Sequence, residues 1–549
     1  MPSDAAPNID VDIDVDVVVV GAGMAGLYML HHLRAQGFSA TVFEQGDGVG
    51  GTWFWNRYPG ARCDVPSLEY SFGFSAELQQ EWEWSEVFPG QEELEHYLNH
   101  VADRFDLRRD IRLSTRVVAA IFDEEHAVWT VTTENGEQHT SRFVVMATGC
   151  LSAPQLPTIS GLDRFTGTIV QTSRWPREPV ALAGQRVGVI GTGSSGVQTI
   201  PEIARIAGHL TVFQRTPTFT WPSHNGPLDP EVQRTTKAKY PELRRRQRKT
   251  VAGVTGQTGA IILQEPSDQS LAAASDEERQ AVLAEKGWDA SRAWNDISTN
   301  PAANEIACEL YREMVRSTVT DPETAEALSP RDFPIGCKRP VVDTDYFATF
   351  NRDNVTLIDL RGGGIEEITE TGIRANGDEF DLDVIVFATG FDAMTGALAR
   401  IDIRGRAGRY LRDEWLAGPR TLLGLQTSGF PNFFTITGPG SPSVLANVMV
   451  GIEHHVEWIG ACLEYLRAHD HATIEPSVDA QDAWVDHVNT VAKGTTMTAE
   501  NCNSWYLGAN IPGKPRVFLP YIGGLAAYIT RAEAVAAADY EGFVMAGTN

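Results

Sequence analysis

The sequence predicts an α/β chain in which two βαβ units are nested and a helical segment is inserted, and three observations carry that prediction. A run of buried-strand character, Val17-Val18-Val19-Val20, leads directly into Gly21-Ala22-Gly23-Met24-Ala25-Gly26. The arrangement returns at Arg186-Val187-Gly188-Val189-Ile190, followed by Gly191-Thr192-Gly193-Ser194-Ser195-Gly196. Two strand-like runs, Val145-Met146-Ala147-Thr148-Gly149 and Val386-Phe387-Ala388-Thr389-Gly390, end in the same three residues and flank the second unit. A strand that turns through Gly-x-Gly-x-x-Gly into a helix lets a pyrophosphate approach the backbone at the helix N-terminus. The chain is therefore expected to form two nested Rossmann-like dinucleotide-binding domains, leaving the first near residue 150 and returning to it near 385.

The first unit begins with alternation over residues 10–16, runs through Val20, and resumes at Ala40-Thr41-Val42-Phe43. That second strand ends at Glu44, 23 residues after Gly21. An acid about 20 residues beyond the first glycine accepts hydrogen bonds from ribose hydroxyls. Gly21, Gly23, Gly26 and Glu44 are thus expected to hold an unphosphorylated adenosine ribose and its pyrophosphate. In the second unit, Leu210-Thr211-Val212-Phe213 ends at Gln214-Arg215-Thr216 instead. A guanidinium at this place matches a 2′-phosphate, so Gly191, Gly193, Ser194, Ser195, Gly196, Arg215 and Thr216 point to NADPH rather than NADH. Two such units in one chain imply FAD in the first and the nicotinamide in the second. The domains expected on this reading are FAD-binding over residues 1–150 and 386–549, and NADP-binding over 151–223 and 331–385. Between them, over 224–330, glycines thin out and charged helix-favouring stretches at 242–249 and 276–285 dominate, as in a helical insertion. The basic run Arg244-Arg245-Arg246-Gln247-Arg248-Lys249 reads as a solvated helix face.

Composition bounds the rest. At 549 residues the chain is long enough for three to five domains, or two interleaved larger ones. Seventy-two Asp and Glu against 45 Lys and Arg give a formal net charge of −27, which repels phosphate backbones and anionic lipid, so no nucleic-acid or membrane partner is expected. The acidic N-terminus does not resemble a signal peptide. The longest apolar run, residues 17–30, is too short to span a bilayer. Six cysteines, at 63, 150, 308, 337, 462 and 502, lie far apart without a Cys-x-x-Cys, so neither a disulfide framework nor a metal cluster is readable from spacing. Reduced thiols in a cytoplasmic protein are expected. Ser194-Ser195 lack a nucleophile elbow, and His31-His32 and His454-His455 read as helix-face residues rather than metal ligands.

FAD with a nicotinamide serves disulfide reductases, oxygenases of nitrogen or sulfur, and Baeyer–Villiger oxygenases. The first need a cysteine pair beside the flavin, which this sequence does not offer. Residues 50–64, Gly-Gly-Thr-Trp-Phe-Trp-Asn-Arg-Tyr-Pro-Gly-Ala-Arg-Cys-Asp, resemble the signature of type I Baeyer–Villiger monooxygenases, with every defined position filled. Phe165, Gly167 and Trp175 match the family's second fingerprint, Phe-x-Gly-x-x-x-His-x-x-x-Trp, but Gln171 stands where histidine is expected. Further stretches, Gly336-Cys337-Lys338-Arg339-Pro340, Ala388-Thr389-Gly390-Phe391-Asp392, Gly438-Pro439-Gly440-Ser441-Pro442-Ser443 and Ser504-Trp505-Tyr506, are most similar to the phenylacetone, steroid and cyclohexanone branch.

The resemblance implies catalytic roles for Arg339, beside the flavin, and for Asp64, its carboxylate partner. It places Gly51, Thr52 and Trp53 with Asp64 around the cofactors, Lys338 with Arg215 on the NADPH phosphate, and Trp505 over the nicotinamide on a mobile loop. Leu445 and Met449 would line the ketone pocket, and Phe165, Gly167, Gln171 and Trp175 the hinge between the nucleotide domains. The implied reaction takes a ketone, O2 and NADPH to an ester or lactone through a flavin peroxide and a Criegee adduct, with no metal, in a monomer or weak homo-oligomer. A fixed guanidinium suits such anions because it does not deprotonate. Two alternatives stay open: an N- or S-oxygenating flavin monooxygenase, and a catalytically impaired NADPH-binding flavoprotein, the latter motivated by Gln171.

Overall fold

The structure is a computed structural model, and it describes residues 12–255 and 268–547. Two sheets organise it. The larger one has the order Asp402–Arg404, Val117–Asp123, Val128–Thr133, Gln138–Met146, Val15–Val20, Ala40–Phe43 and Ile111–Arg112, with Phe433–Thr435 pairing parallel to Gln138–Met146. The second is wholly parallel, in the order Val355–Asp359, His209–Gln214, Arg186–Ile190, Val384–Phe387 and Thr168–Gln171. Covered parallel strands read as continuous hydrophobic runs, and Val17, Val18, Val19, Val187 and Val189 have no exposed surface. The first strand starts at Val15, later than the alternation over 10–16 suggests. Asp12, Ile13 and Asp14 precede it, and residues 10 and 11 lie outside the described part.

In both units the third glycine is required by close packing. A Cβ on Gly26 would sit 1.8 Å from the Gly21 carbonyl oxygen, and one on Gly196 would sit 2.2 Å from that of Gly191. The helices Met24–Ala35 and Ser194–Ile206 therefore press directly onto their strands.

Between residues 224 and 330 lie the helices Pro230–Lys237, Tyr240–Gln247, Asp276–Lys286, Pro301–Thr318 and Pro322–Leu328, while residues 256–267 fall outside the described part. Three of them start in one way: Asp229, Asn300 and Asp321 cap the first turn and are each followed by proline, which has no N–H to leave unsatisfied there. The segment is entered and left through paired strands, Thr220–Pro222 and Val341–Asp343. This pairing brings the residues just before 341 beside the second nucleotide unit.

Two expectations for charged helices need correction. In the basic run, Arg245 and Arg246 are exposed, but Arg244 donates to Ser71 Oγ at 2.7 Å and to the Glu69 carbonyl at 3.3 Å, and Arg248 pairs with Glu457 at 2.6 Å. One helix face docks while the other is solvated, which composition does not resolve. His454 and His455 are likewise buried inside the helix Val448–Ala468. The Thr437 N–H donates to His455 Nδ1 at 2.9 Å, and Tyr528, which donates to the Leu423 carbonyl, lies 2.8 Å from Nε2. Burial holds His455 well below the usual histidine range, in its neutral form.

Candidate active site

The stretch 50–64 touches both glycine loops. Gly50 donates its N–H to the Ala22 carbonyl at 3.0 Å, and a Cβ on Gly51 would come within 2.8 Å of Gly23 Cα, so the two glycine turns lie back to back. At the other end Gly60, at φ +82°, approaches the second glycine-loop helix so closely that a Cβ would meet the Gln198 carbonyl oxygen at 2.3 Å. The Tyr58 hydroxyl donates to Gln198 Oε1 at 2.8 Å, and Gln198 Nε2 donates back to the Arg62 carbonyl at 2.9 Å. Trp53 is buried, with its ring edge-on to Tyr70 at 6.0 Å. Thr52 opens the short helix Thr52–Trp55 and accepts, through its carbonyl, the Asn56 N–H at 3.0 Å.

Asp64 ends this stretch and meets Arg339, with Oδ1 2.6 Å from Nη2. The guanidinium also donates from Nη1 to the Val444 carbonyl at 3.1 Å. Burial opposes the arginine's charge, yet the Asp64 carboxylate holds it charged above its ordinary range. Both Tyr70 and Tyr506 are pushed up by burial and remain neutral phenols. Neither tyrosine was assigned a role from sequence. Tyr506 stood beside Trp505 in its motif, and Tyr70 carried no signal of its own.

The residues present fit two dinucleotides. Glu44 is buried, and its oxygens each accept one backbone N–H, from Ala22 and Gly46, both at 2.8 Å. Each oxygen keeps lone-pair capacity for a ribose hydroxyl. Gly193 has open space where a Cβ would stand, the room a pyrophosphate needs at the N-terminus of Ser194–Ile206. Ser194 and Ser195 begin that helix, and Thr192 Oγ1 donates to the Thr216 carbonyl at 2.9 Å, tying the turn to the end of the next strand. Lys338 is held below the ordinary lysine range by burial and then by Arg215. Two cations face each other there, and among the described residues no carboxylate pairs with either. That donor set suits a dianionic phosphate.

Elsewhere the sequence-predicted residues fall as follows. Gln171 Nε2 donates to the Gln155 carbonyl at 3.1 Å, and Thr389 Oγ1 donates to the same oxygen at 2.7 Å, so the strand ends of the second sheet grip the chain where it crosses from the first. Trp175 is buried, Phe165 packs in the core beneath the second sheet, and a Cβ on Gly167 would strike the Asp383 carbonyl oxygen at 2.4 Å. Leu445 and Met449 are both buried in the main core, Leu445 directly after the Val444 carbonyl that receives Arg339. Trp505 packs on Tyr506 with ring centroids 4.1 Å apart and borders the Ala393, Met394 and Leu519 cluster.

The expectation of six separate thiols is overturned: Cys337 and Cys502, 165 residues apart, are joined as a disulfide with Cα atoms 5.5 Å apart. Such long separation leaves no spacing motif to read. Cys63, Cys150, Cys308 and Cys462 are free. Among the described residues there is no cluster that could hold a metal ion and no helix long and apolar enough to cross a membrane.

Two glycine loops that fit dinucleotides, bridged by one stretch of chain that ends in an arginine–aspartate pair, define a flavin- and nicotinamide-dependent oxidoreductase. The family described as pyridine nucleotide-disulphide oxidoreductase matches residues 18–291. The chain is 42% identical to an acetone monooxygenase (methyl acetate-forming) of Gordonia sp. strain TY-5, over 96% of this chain and 98% of that protein. It is 40% identical to a phenazine N-monooxygenase of Lysobacter antibioticus, over 96% of each. A solved structure of an oxidized steroid monooxygenase bound to NADP superposes with a TM-score of 0.90 at 49% identity, covering 97% of this chain and 99% of that one. The chain belongs to the Baeyer–Villiger monooxygenases, enzymes that use FAD and NADP(H).

Proposed function

We propose that this chain inserts one atom of O2 beside the carbonyl carbon of a ketone, at the expense of NADPH, to give an ester or lactone. The observation that carries the reading is the Arg339–Asp64 pair, held between two glycine loops by a single stretch of chain. Gly21, Gly23, Gly26 and Glu44 would hold FAD, with Gly51, Thr52 and Trp53 at its side. Gly191, Gly193, Ser194, Ser195, Gly196, Thr216, Arg215 and Lys338 would hold NADPH, with Trp505 above it. Bound FAD supplies hydride acceptance from NADPH and activation of O2.

The protein's own residues do the rest. Arg339 presents a permanent positive charge to the anions formed as oxygen adds to the carbonyl, and Asp64 fixes the plane of its fork. Tyr70 and Tyr506, kept neutral by burial, enclose that charge and exclude water without adding a negative group. Leu445 and Met449 would form part of the ketone wall. Gln171 would hold the crossing between nucleotide domains through its amide, a bond that needs no charge. We infer a cytoplasmic monomer or weak homo-oligomer with no nucleic-acid partner.

NADPH oxidation with and without a ketone panel, with products resolved by gas chromatography, tests the reading. Ester or lactone formed in step with NADPH supports it, and peroxide as the sole product from every ketone refutes it. The likeness to a phenazine N-monooxygenase favours a second reading. An N-oxide from an aromatic or tertiary amine, with no ester from any ketone, would establish that one instead.

A further inference from the structure

Cys337 immediately precedes Lys338 and Arg339, and Cys502 lies three residues before Trp505. The disulfide therefore joins the segment carrying two cations of the site to the loop that carries its aromatic cover. The two segments also lean on each other without it. Gly336, at φ +85°, turns so tightly that a Cβ would stand 2.8 Å from Thr496 Oγ1, and Asn501 Nδ2 donates to the Asp332 carbonyl at 2.7 Å. Beyond the bond, the Tyr506 hydroxyl accepts from the Arg339 backbone N–H, and Tyr506 returns its carbonyl to the Leu519 N–H at 2.8 Å. Both cysteines have no exposed surface, whereas Trp505 is part-exposed.

We propose that Cys337–Cys502 is a reversible covalent tether that holds the Trp505–Tyr506 loop closed over Lys338 and Arg339, so that the two cysteines are positioning residues for NADPH. The inference rests on the assignment of Lys338, Arg339 and Trp505 given above. Three peptide units separate Cys502 from Trp505 and the bonded Cα atoms lie 5.5 Å apart, so with the bond intact Trp505 Cα stays within about 17 Å of Cys337 Cα. Reduced, the segment keeps only its hydrogen bonds and packing, each of which can be lost in turn.

The chemistry balances within the enzyme's own reaction. NADPH consumed without a ketone gives hydrogen peroxide from O2, with NADPH and one proton supplying two electrons and two hydrogens. Peroxide then takes two electrons from the cysteines: an S–S bond forms, the O–O bond breaks, and the two thiol protons leave in two waters. A dithiol reductant reverses the step by attacking one sulfur and leaving as its own disulfide. Because the sulfurs are buried, that attack requires the loop to open. Peroxide made by a loose loop thus returns the loop to its closed form. Binding and closure are linked, so NADP+ must also slow reduction of the pair.

The test uses the FAD-loaded enzyme. As oxidised with peroxide it should show four of its six thiols on denaturing titration, and all six after dithiothreitol, with the missing pair mapped to the peptides of Cys337 and Cys502. Reduction should raise the KM for NADPH by about fivefold or more, leave the KM for ketone within about twofold, and increase peroxide formed per NADPH. Reoxidation should restore the wild type. Cys502→Ser, and independently Cys337→Ser, should behave as reduced enzyme and ignore both reagents. NADP+ should slow reduction of the wild-type pair. A staple without a positioning role would lower the melting temperature on reduction and leave both KM values and the coupling unchanged, and that result overturns the proposal. So does titration of all six thiols after peroxide treatment. If no ketone yields ester in either redox state, the functional reading fails. The tether is then judged alone, by NADP+ protection of the pair and by NADP+ affinity in the two states.

Discussion

Removal of the two facing cations one at a time separates recognition of the 2′-phosphate from binding of the rest of the nicotinamide cofactor. Arg215 is exposed, whereas Lys338 is half-buried and its charge is disfavoured by burial and by Arg215. A charge-assisted hydrogen bond contributes about 1.5–3 kcal/mol, and the less hydrated partner lies at the upper end of that range. Arg215→Ala should therefore weaken NADP+ by roughly 10-fold and Lys338→Ala by up to roughly 150-fold. The double variant should lose less than the product of the two, because removing either cation relieves the repulsion on the other before ligand arrives. Titration of flavin absorbance with NADP+ and with NAD+ gives all eight dissociation constants. Weakening of NAD+ and NADP+ by equal factors in every variant would show that neither cation contacts the 2′-phosphate.

Three further outcomes follow from the geometry. Arg339→Ala should lower ester formation by about 10²–10³-fold while FAD content and the oxidised flavin spectrum stay unchanged, and normal product yield from that variant would remove the arginine from the chemistry. Gln171→His should change ketone turnover by less than about tenfold, since among the described residues the Gln171 side chain makes one hydrogen bond, an N–H donated to the Gln155 carbonyl, which an imidazole can also make; a gain of several hundredfold would mark the natural chain as an impaired catalyst. Burial takes His454 down from 6.5 to about 4. The unfolded chain then binds the extra proton first, so stability is fully present above about pH 6.5 and falls as pH drops toward 4, by up to about 3 kcal/mol from this residue. Glu453 beside it, raised by burial, acts in the opposite sense, so the measurement is the difference in melting temperature between wild type and His454→Gln across that window. A difference that does not change with pH would contradict the assignment.

What the sequence disclosed depended on how narrowly the physics restricts residue type. The glycine turns were legible because a strand, a tight turn and a helix can meet this closely only without a Cβ: one added to Gly26 or Gly196 would stand 1.8 or 2.2 Å from a carbonyl oxygen. Glu44 was legible by its spacing. Arg339 and Asp64, 275 positions apart, were legible only through resemblance, since neither residue type nor local pattern pairs them. Tyr70 and the Val444 carbonyl had no signal, and Tyr506 only its place beside Trp505, because a phenol or a backbone oxygen gains its role from what folds against it. The docked faces of Arg244 and Arg248 and the buried imidazoles of His454 and His455 were hidden for a related reason. A charge run or a histidine pair looks alike on a solvated face and on a packed one, although Gly460, where a Cβ would lie 2.4 Å from the His32 ring, marks a close helix crossing nearby.

The stretch from Gly51 to Asp64 explains why these distant residues form one site. Its first glycine fits only against Gly23, and its second turn, at Gly60, fits only against the helix Ser194–Ile206, so one continuous segment gauges the separation of the two nucleotide loops. Tyr58 and Arg62 fasten the second contact through both ends of the Gln198 amide. Asp64 emerges from that fastening and reaches the guanidinium of Arg339, which lies two residues from the cysteine bound to the Trp505 loop. A displacement of the second sheet relative to the first would therefore move Asp64 with it, and Arg339, Lys338 and the Trp505 loop would shift as a connected set. Electron transfer between two dinucleotides needs them close during one half of the cycle, and oxygen chemistry needs the charge fixed during the other. A gauge made of glycine contacts, closed by an ion pair and a disulfide, serves both requirements.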